Sequence, residues 1–329
     1  MTLRYFPAMQ AILAVTIPFF ALVLCGYLAG RSRVLPEGAI PGLNIFVLYF
    51  ALPCMLFRFG ASLPVAQVIN PVVIAITIIA ATALVFATIA LTRSDTVPMK
   101  DAALGALTVV WPNTGFMGVP LLAALLGPAA AGPVITTLLV DLFFTSSLCI
   151  ALAQSESDVD GGSRIAIGRL LKGTLANPLP AAIALGLAFS ALELSFPGPL
   201  ETIVKMLGDS ATPVALFTIG TVLWRAGQHV HSRTPLRLFL PLALAKLLVH
   251  PLVVLALGVA AIRLGAPLSS FALTVIVLAA ALPSASSVSL LAERYGADNG
   301  RITRIIIGST VMAFVTFTLL AWLVEARPG

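Results

Sequence analysis

Long apolar runs, each close to the length of a bilayer crossing, alternate with short polar connections along the whole chain. A helix needs about 20 apolar residues to span a hydrocarbon core about 30 Å thick. Runs of that kind fall at 9–29, 38–58, 67–91, 101–125, 132–153, 173–192, 199–222, 236–262, 268–292 and 302–324. The pattern predicts an all-α polytopic membrane protein of ten transmembrane helices. It leaves no room for a soluble domain, because the longest polar connections are Gln154–Arg164 and Trp224–Pro235. Two runs are interrupted: Trp111-Pro112-Asn113-Thr114-Gly115-Phe116-Met117-Gly118-Val119-Pro120 lies within the fourth, and Leu282-Pro283-Ser284-Ala285-Ser286-Ser287 within the ninth. Backbone groups freed at bilayer depth find no water, so such a stretch persists only where it is buried in protein or lines a polar cavity. Interrupted helices at corresponding places in two halves are a pointer to a substrate site.

Composition agrees, with 59% of residues hydrophobic and 10% charged. The first apolar run is long enough to be a helix and is followed by Arg31 and Arg33, so it reads as a span and not as a cleaved signal peptide. A net charge of +6 would suggest nucleic acid in a soluble protein; here the placement of the charges is what informs. Connections after odd-numbered spans hold Arg31, Arg33, Arg93, Lys100, Arg164, Arg225, Arg237, Arg294, Arg301 and Arg304 among others, whereas the opposite side has only Arg4, Arg58, Arg263 and Arg327. The positive-inside rule then puts both termini outside and the 154–164 connection in the cytoplasm, and no nucleic-acid role is expected. Cys25, Cys54 and Cys149 all lie in apolar spans and read as packing residues.

An internal repeat is legible. Gly26 and Pro53 are matched by Gly186 and Pro213 at an offset of 160, and Pro112 by Pro283 at 171. The chain thus divides into two five-helix halves, 1–153 and 154–329, each with its break in the fourth span. An odd number of spans forces the second half to insert upside down, giving two inverted repeats whose broken helices 4 and 9 meet and cross at the midplane.

Half-helices starting after Pro112 and Pro283 would aim the N–H groups of Asn113, Thr114, Gly115 and Phe116, and of Ser284, Ala285 and Ser286, into a cavity. Helix N-termini favour anions, side-chain amide and hydroxyl groups add donors, and Gly115 and Gly118 permit close approach. The candidate substrate-binding set is therefore Pro112, Asn113, Thr114, Gly115, Pro283, Ser284, Ser286 and Ser287, with a carboxylate as the natural guest. A plainer reading is a pair of packing kinks with Gly and Ser at helix contacts. Charge inside the spans marks further candidates. Asp141 has Thr137 and Thr145 four residues to either side, and Lys246 and His250 share a helix face. These three are candidates for charge compensation or proton coupling, or form a static buried group. Lys205 and Asp209 read as a local pair, Asn44 as a bond to neighbouring backbone, and Glu293 as a solvated helix end. No metal-ligand, nucleophile-elbow or phosphate-loop spacing is present, so neither an enzyme nor a cofactor is expected.

The Pro-Asn-Thr-Gly-Phe-Met-Gly-Val-Pro stretch at 112–120, the Ala281-Leu282-Pro283 break leading into Leu290-Leu291-Ala292-Glu293-Arg294-Tyr295-Gly296, and the five-plus-five plan resemble the auxin efflux carrier family. Bacterial members of that family include malonate transporters. The resemblance implies the fold shared with bile acid:sodium symporters, with a scaffold of helices 1, 2, 6 and 7 and a transport domain of helices 3–5 and 8–10. The chain departs from the plant carriers in lacking their long cytoplasmic loop. The expected activity is secondary transport of a small organic anion, a mono- or dicarboxylate such as malonate, across a bacterial inner membrane by alternating access. H⁺ or Na⁺ would be the coupling ion, the lipid bilayer the surrounding partner, and a homodimer is left open. A sodium-coupled symporter of the bile acid type and a membrane-embedded sensor or partner subunit with a vestigial site stay as alternatives.

Overall fold

The computed structural model describes residues 5–155, 177–228 and 234–324, and these are helical throughout, with no strand among them. Seven helical stretches are long and apolar enough to cross a membrane. They are α1 (Tyr5–Arg31), α2 (Glu37–Ser62), α3 (Val65–Thr92), α6 (Pro128–Ala153), α8 (Gly198–Gln228), α9 (Leu236–Arg263) and α12 (Asn299–Leu323). The remaining expected spans are shorter or divided. The fourth comprises α4 (Met99–Val110) and α5 (Thr114–Leu126), and the ninth comprises α10 (Ser270–Ala280) and α11 (Ser287–Arg294). The sixth is α7 (Pro178–Ala191); its expected first residues, 173–176, and most of the 154–164 connection lie outside the described residues.

Helix starts follow local chemistry. Asn70 accepts the N–H groups of Val72 and Val73 with Pro71 at the first helical position, and Asn177 accepts that of Leu179 ahead of α7 with Pro178 likewise placed. Prolines also shape helix interiors. A proline has no N–H and crowds the carbonyl four residues earlier, and widened π-type turns occupy that place before Pro53 (Val47–Ala51), Pro120 (Thr114–Gly118) and Pro251 (Ala245–Val249). A fourth such turn, Asp141–Thr145, has no proline behind it.

Small residues then let backbones touch, the usual basis of helix association in lipid. A Cβ on Gly26 of α1 would strike the Phe217 carbonyl of α8, and one on Gly186 of α7 would strike the Phe57 carbonyl of α2. Gly220 of α8 meets the Val23 carbonyl in the same way, and a Cβ on Gly60 of α2 would come within 3.1 Å of the Ile183 carbonyl. Each contact in one helix pair thus has a counterpart in the other, 160 residues away. The bundle's two ends are tied separately. At one end the buried Arg301 donates from Nε to Leu238 O at 2.9 Å, and Asp101 accepts the Asp298 N–H at 2.8 Å. At the other, Thr136 bonds the Val68 carbonyl and Ser190 donates to Leu63 O at 2.9 Å.

Candidate functional site

The site is built where the two interruptions meet. α4 ends at Val110 and α10 at Ala280, and the short segments that follow run antiparallel to each other. Asn113 N–H donates to Pro283 O at 2.9 Å and Ala285 N–H to Trp111 O at 3.0 Å. Each break therefore satisfies part of the other's exposed backbone, which meets the requirement for irregular chain in lipid. At Asn113 the backbone takes φ −77°, ψ 58°, an inverse γ-turn closed by Thr114 N–H to Pro112 O at 2.8 Å. Ser284 is tied more deeply, its N–H donating to Ser309 Oγ at 3.2 Å and its own Oγ to Thr108 O at 2.8 Å. This changes the expected donor set. The N–H groups of Asn113, Thr114, Ser284 and Ala285 are engaged within the protein, whereas those of Gly115, Phe116 and Ser286 have no acceptor among the described residues. Close packing fixes the arrangement, since a Cβ on Gly118 would lie 2.7 Å from Leu282 Cδ1.

Beside the contact between the two short segments lies a cavity of about 440 Å³, within the range of small-molecule sites. Pro112, Asn113, Thr114, Gly115, Ser286 and Ser287 line it; Pro283 and Ser284 do not, Ser284 being bonded toward α4 and α12. Asn113 is only 5% exposed, and neither its side-chain amide nor the fully buried Thr114 hydroxyl has a partner among the described residues. Buried polar groups are normally paired, and two side chains on one wall without a described partner make it a candidate place for a polar guest. The wall also holds Asn44, Ser146, Asn177, Arg225 and Arg294, and no Asp or Glu among the described residues. Asn44, read from the sequence as a bond to backbone, thus faces the cavity instead. Arg225 and Arg294 were visible in the sequence only as topology charges. The signal that could have found them is helical spacing: Ser287, Leu290, Leu291 and Arg294 recur at three- and four-residue steps along α11 and all face the cavity.

The buried ionisable residues form a separate group that does not line the cavity. Lys246 Nζ donates to the Ala280 carbonyl at 2.6 Å and lies 3.0 Å from His250 Nδ1. It therefore caps the carbonyl end of α10 just before the break, where a cation is favoured. Asp141 accepts from Thr145 Oγ1 at 3.1 Å, leaves its second oxygen without a hydrogen bond among the described residues, and makes no ion pair with Lys246. Thr137, expected beside it, donates to Val134 O instead. The Lys205–Asp209 pair is corrected as well: Asp209 binds Arg58 of α2 at 2.6 Å, because the rigid guanidinium fork reaches it across the helix contact. Glu293 is exposed, as a solvated helix end should be.

A family model described as membrane transport protein matches residues 11–321. The chain belongs to the membrane transport protein family. Family and architecture together make it an integral, multi-pass membrane protein, of a family of transporters and not of enzymes. Among relatives of this membrane transport protein is one from Rhizobium meliloti (strain 1021) named "Putative malonate transporter", 28% identical over 329 residues and 97% of each chain. The "Uncharacterized transporter YfdV" of Escherichia coli (strain K12) is 23% identical, covering 94% of this chain and 96% of its own. The "Lysosomal cholesterol signaling protein" of Mus musculus is 25% identical over 99% of this chain but only 38% of its own length.

Proposed function

We propose that the protein is a secondary transporter of a small carboxylate, malonate-like in size, held at the crossing of the two interrupted helices and moved by alternating access. The observation that carries this is the Asn113–Thr114 wall: a nearly buried amide and a buried hydroxyl without partners, beside unengaged N–H groups of Gly115 and Phe116 at a helix start, all on one cavity. Donors of that kind suit an anion. The R. meliloti relative's name supports malonate as the first compound to try.

The mechanism follows from two inverted five-helix repeats, 1–153 and 154–329, a reading supported by the glycine contacts that recur 160 residues apart and by the antiparallel meeting of the breaks. Helices 1, 2, 6 and 7 of the ten-span plan would be the scaffold, and helices 3–5 and 8–10 the moving domain that carries the crossing. The lining residues Asn177, Arg225 and Arg294 support a cavity mouth at the end of the bundle that holds Arg301. With positive residues inside and both termini outside an inner membrane, this arrangement is inward-facing. Asp141, Lys246 and His250 would set charge compensation as the domain moves. Sodium coupling of the bile acid type is disfavoured at one place, since the Ala280 carbonyl it would use already accepts from the Lys246 ammonium. A sensing role is the second reading, favoured by the mouse relative's name.

Uptake of labelled malonate into proteoliposomes tests the proposal. Accumulation that responds to a pH gradient and ignores Na⁺ is expected. Na⁺-dependent uptake would select the symporter reading, and binding without any flux would select the sensor.

A further inference from the structure

The cavity has a second polar end that the crossing does not explain. Arg225, in the last turn of α8, and Arg294, the final residue of α11, both line it, and Asn177 joins them at the start of α7. Neither guanidinium has a hydrogen-bond or ion-pair partner among the described residues; Arg294 only rests 5.9 Å from the Tyr295 ring centroid. The Asn177 side-chain oxygen is occupied as the α7 cap, accepting Leu179 N–H at 3.0 Å, which leaves its NH₂ to donate. Among the described residues no carboxylate lies on the wall, and the half-buried Arg225 and the exposed Arg294 bring two formal positive charges to it. Arginines that merely set topology or settle a helix C-terminus have no need to line it.

We infer that Arg225 and Arg294 form a second anion-recognition pole opposite Asn113, so that the site selects small dicarboxylates over monocarboxylates; this rests on the crossing being the anion site. The spacing suits a short diacid. Ser287 and Arg294 are both on the cavity face of α11, seven residues or about 10 Å apart along the axis. Helical side chains lean toward the helix N-terminus, so the Arg294 side chain is carried back toward the crossing and narrows that interval. One carboxylate then takes the donors at Asn113, Thr114 and Gly115, and the other takes the guanidinium groups in the planar, bidentate manner they favour. A monoanion would leave the arginine pole unneutralised.

Binding of malonate and of monomethyl malonate, which keeps the shape but has one carboxylate esterified, to the purified full-length protein separates the possibilities. Wild type should bind malonate at least tenfold more tightly than the ester. Arg225→Gln and Arg294→Gln should each weaken malonate at least tenfold while changing ester affinity less than twofold, with Arg294→Lys recovering only part of the malonate affinity because it keeps the charge and loses the bidentate fork, and with the unfolding midpoint of each variant reporting that the fold is intact. Asn113→Ala should weaken both ligands. If the Gln variants bind malonate like wild type while Asn113→Ala does not, the arginine pole is wrong and the crossing site stands. If wild type binds neither compound, the crossing site itself is overturned and the arginine pole with it.

Discussion

Asn113 and Ser284 each follow the proline of an interrupted helix, yet the two positions are spent differently. Asn113 gives its backbone N–H to the opposite break and keeps its side chain idle on the cavity wall. Ser284 commits both backbone and side chain, to Ser309 and Thr108, and faces away. On the proposed reading Asn113 belongs to a binding surface, while Ser284 acts as a clasp. The difference teaches that similar local sequence, a proline followed by small polar residues, does not assign a role; what assigns it is whether neighbouring helices supply partners. Ser309 of α12 and the Thr108 carbonyl of α4 reach Ser284, and nothing comparable reaches Asn113 or the Thr114 hydroxyl.

Variants can break or sharpen this contrast. The largest effect on stability should come from Lys246→Met, which leaves the Ala280 carbonyl uncapped at the entrance to the clasp and removes the partner beside His250 Nδ1. A hydrogen bond to a charged group contributes about 1.5–3 kcal/mol, and thermal unfolding in detergent should show a loss of that order. Ser284→Ala should come next, costing about 0.5–1.5 kcal/mol for a neutral buried bond, with malonate affinity changed less than about twofold. An affinity loss exceeding the stability loss would mean that Ser284 binds ligand after all. Thr114→Val should do the reverse: its hydroxyl has no partner to lose, so unfolding should be unchanged or slightly delayed, while malonate binding weakens a few-fold. Ordinary stability loss with normal binding would assign Thr114 to the clasp.

A sidedness experiment needs no energetic threshold. In a background without Cys25, Cys54 and Cys149, Asp95→Cys should resist an impermeant thiol reagent in intact cells and react in inverted vesicles, and Leu264→Cys should do the opposite. Both positions are exposed at connections that the charge pattern assigns to different faces. Labelling in the reverse sense would turn the cavity mouth to the outside.

Much of the helical layout was legible in the sequence, because lipid imposes a length and an apolar composition on every span. The interruptions at Pro112 and Pro283 were legible for the same reason, and the matched Gly26 and Gly186 pointed to places where backbones touch. Three things were not. The partner of Asp209 lies on another helix, and sequence spacing suggests only the neighbour four residues away, Lys205. The spending of the Asn113 and Ala285 N–H groups depends on a segment about 170 residues distant, which no local pattern reports. Arg225 and Arg294 were counted for their side of the membrane, but where a long, flexible side chain points is decided by the helices packed around it.

The central claim, that the Asn113 side chain is held ready for a carboxylate, is tested most directly by malonate titration calorimetry on Asn113→Ala, with unfolding measured on the same sample. Pro112 and the turn are retained, and only the idle amide is lost. A bond from that amide to a charged ligand is worth about 1.5–3 kcal/mol, so affinity should fall roughly ten- to a hundredfold while the unfolding midpoint stays where it is in wild type. A well-folded Asn113→Ala protein that binds malonate as tightly as wild type would contradict the account and return Asn113 to the role of a packing residue.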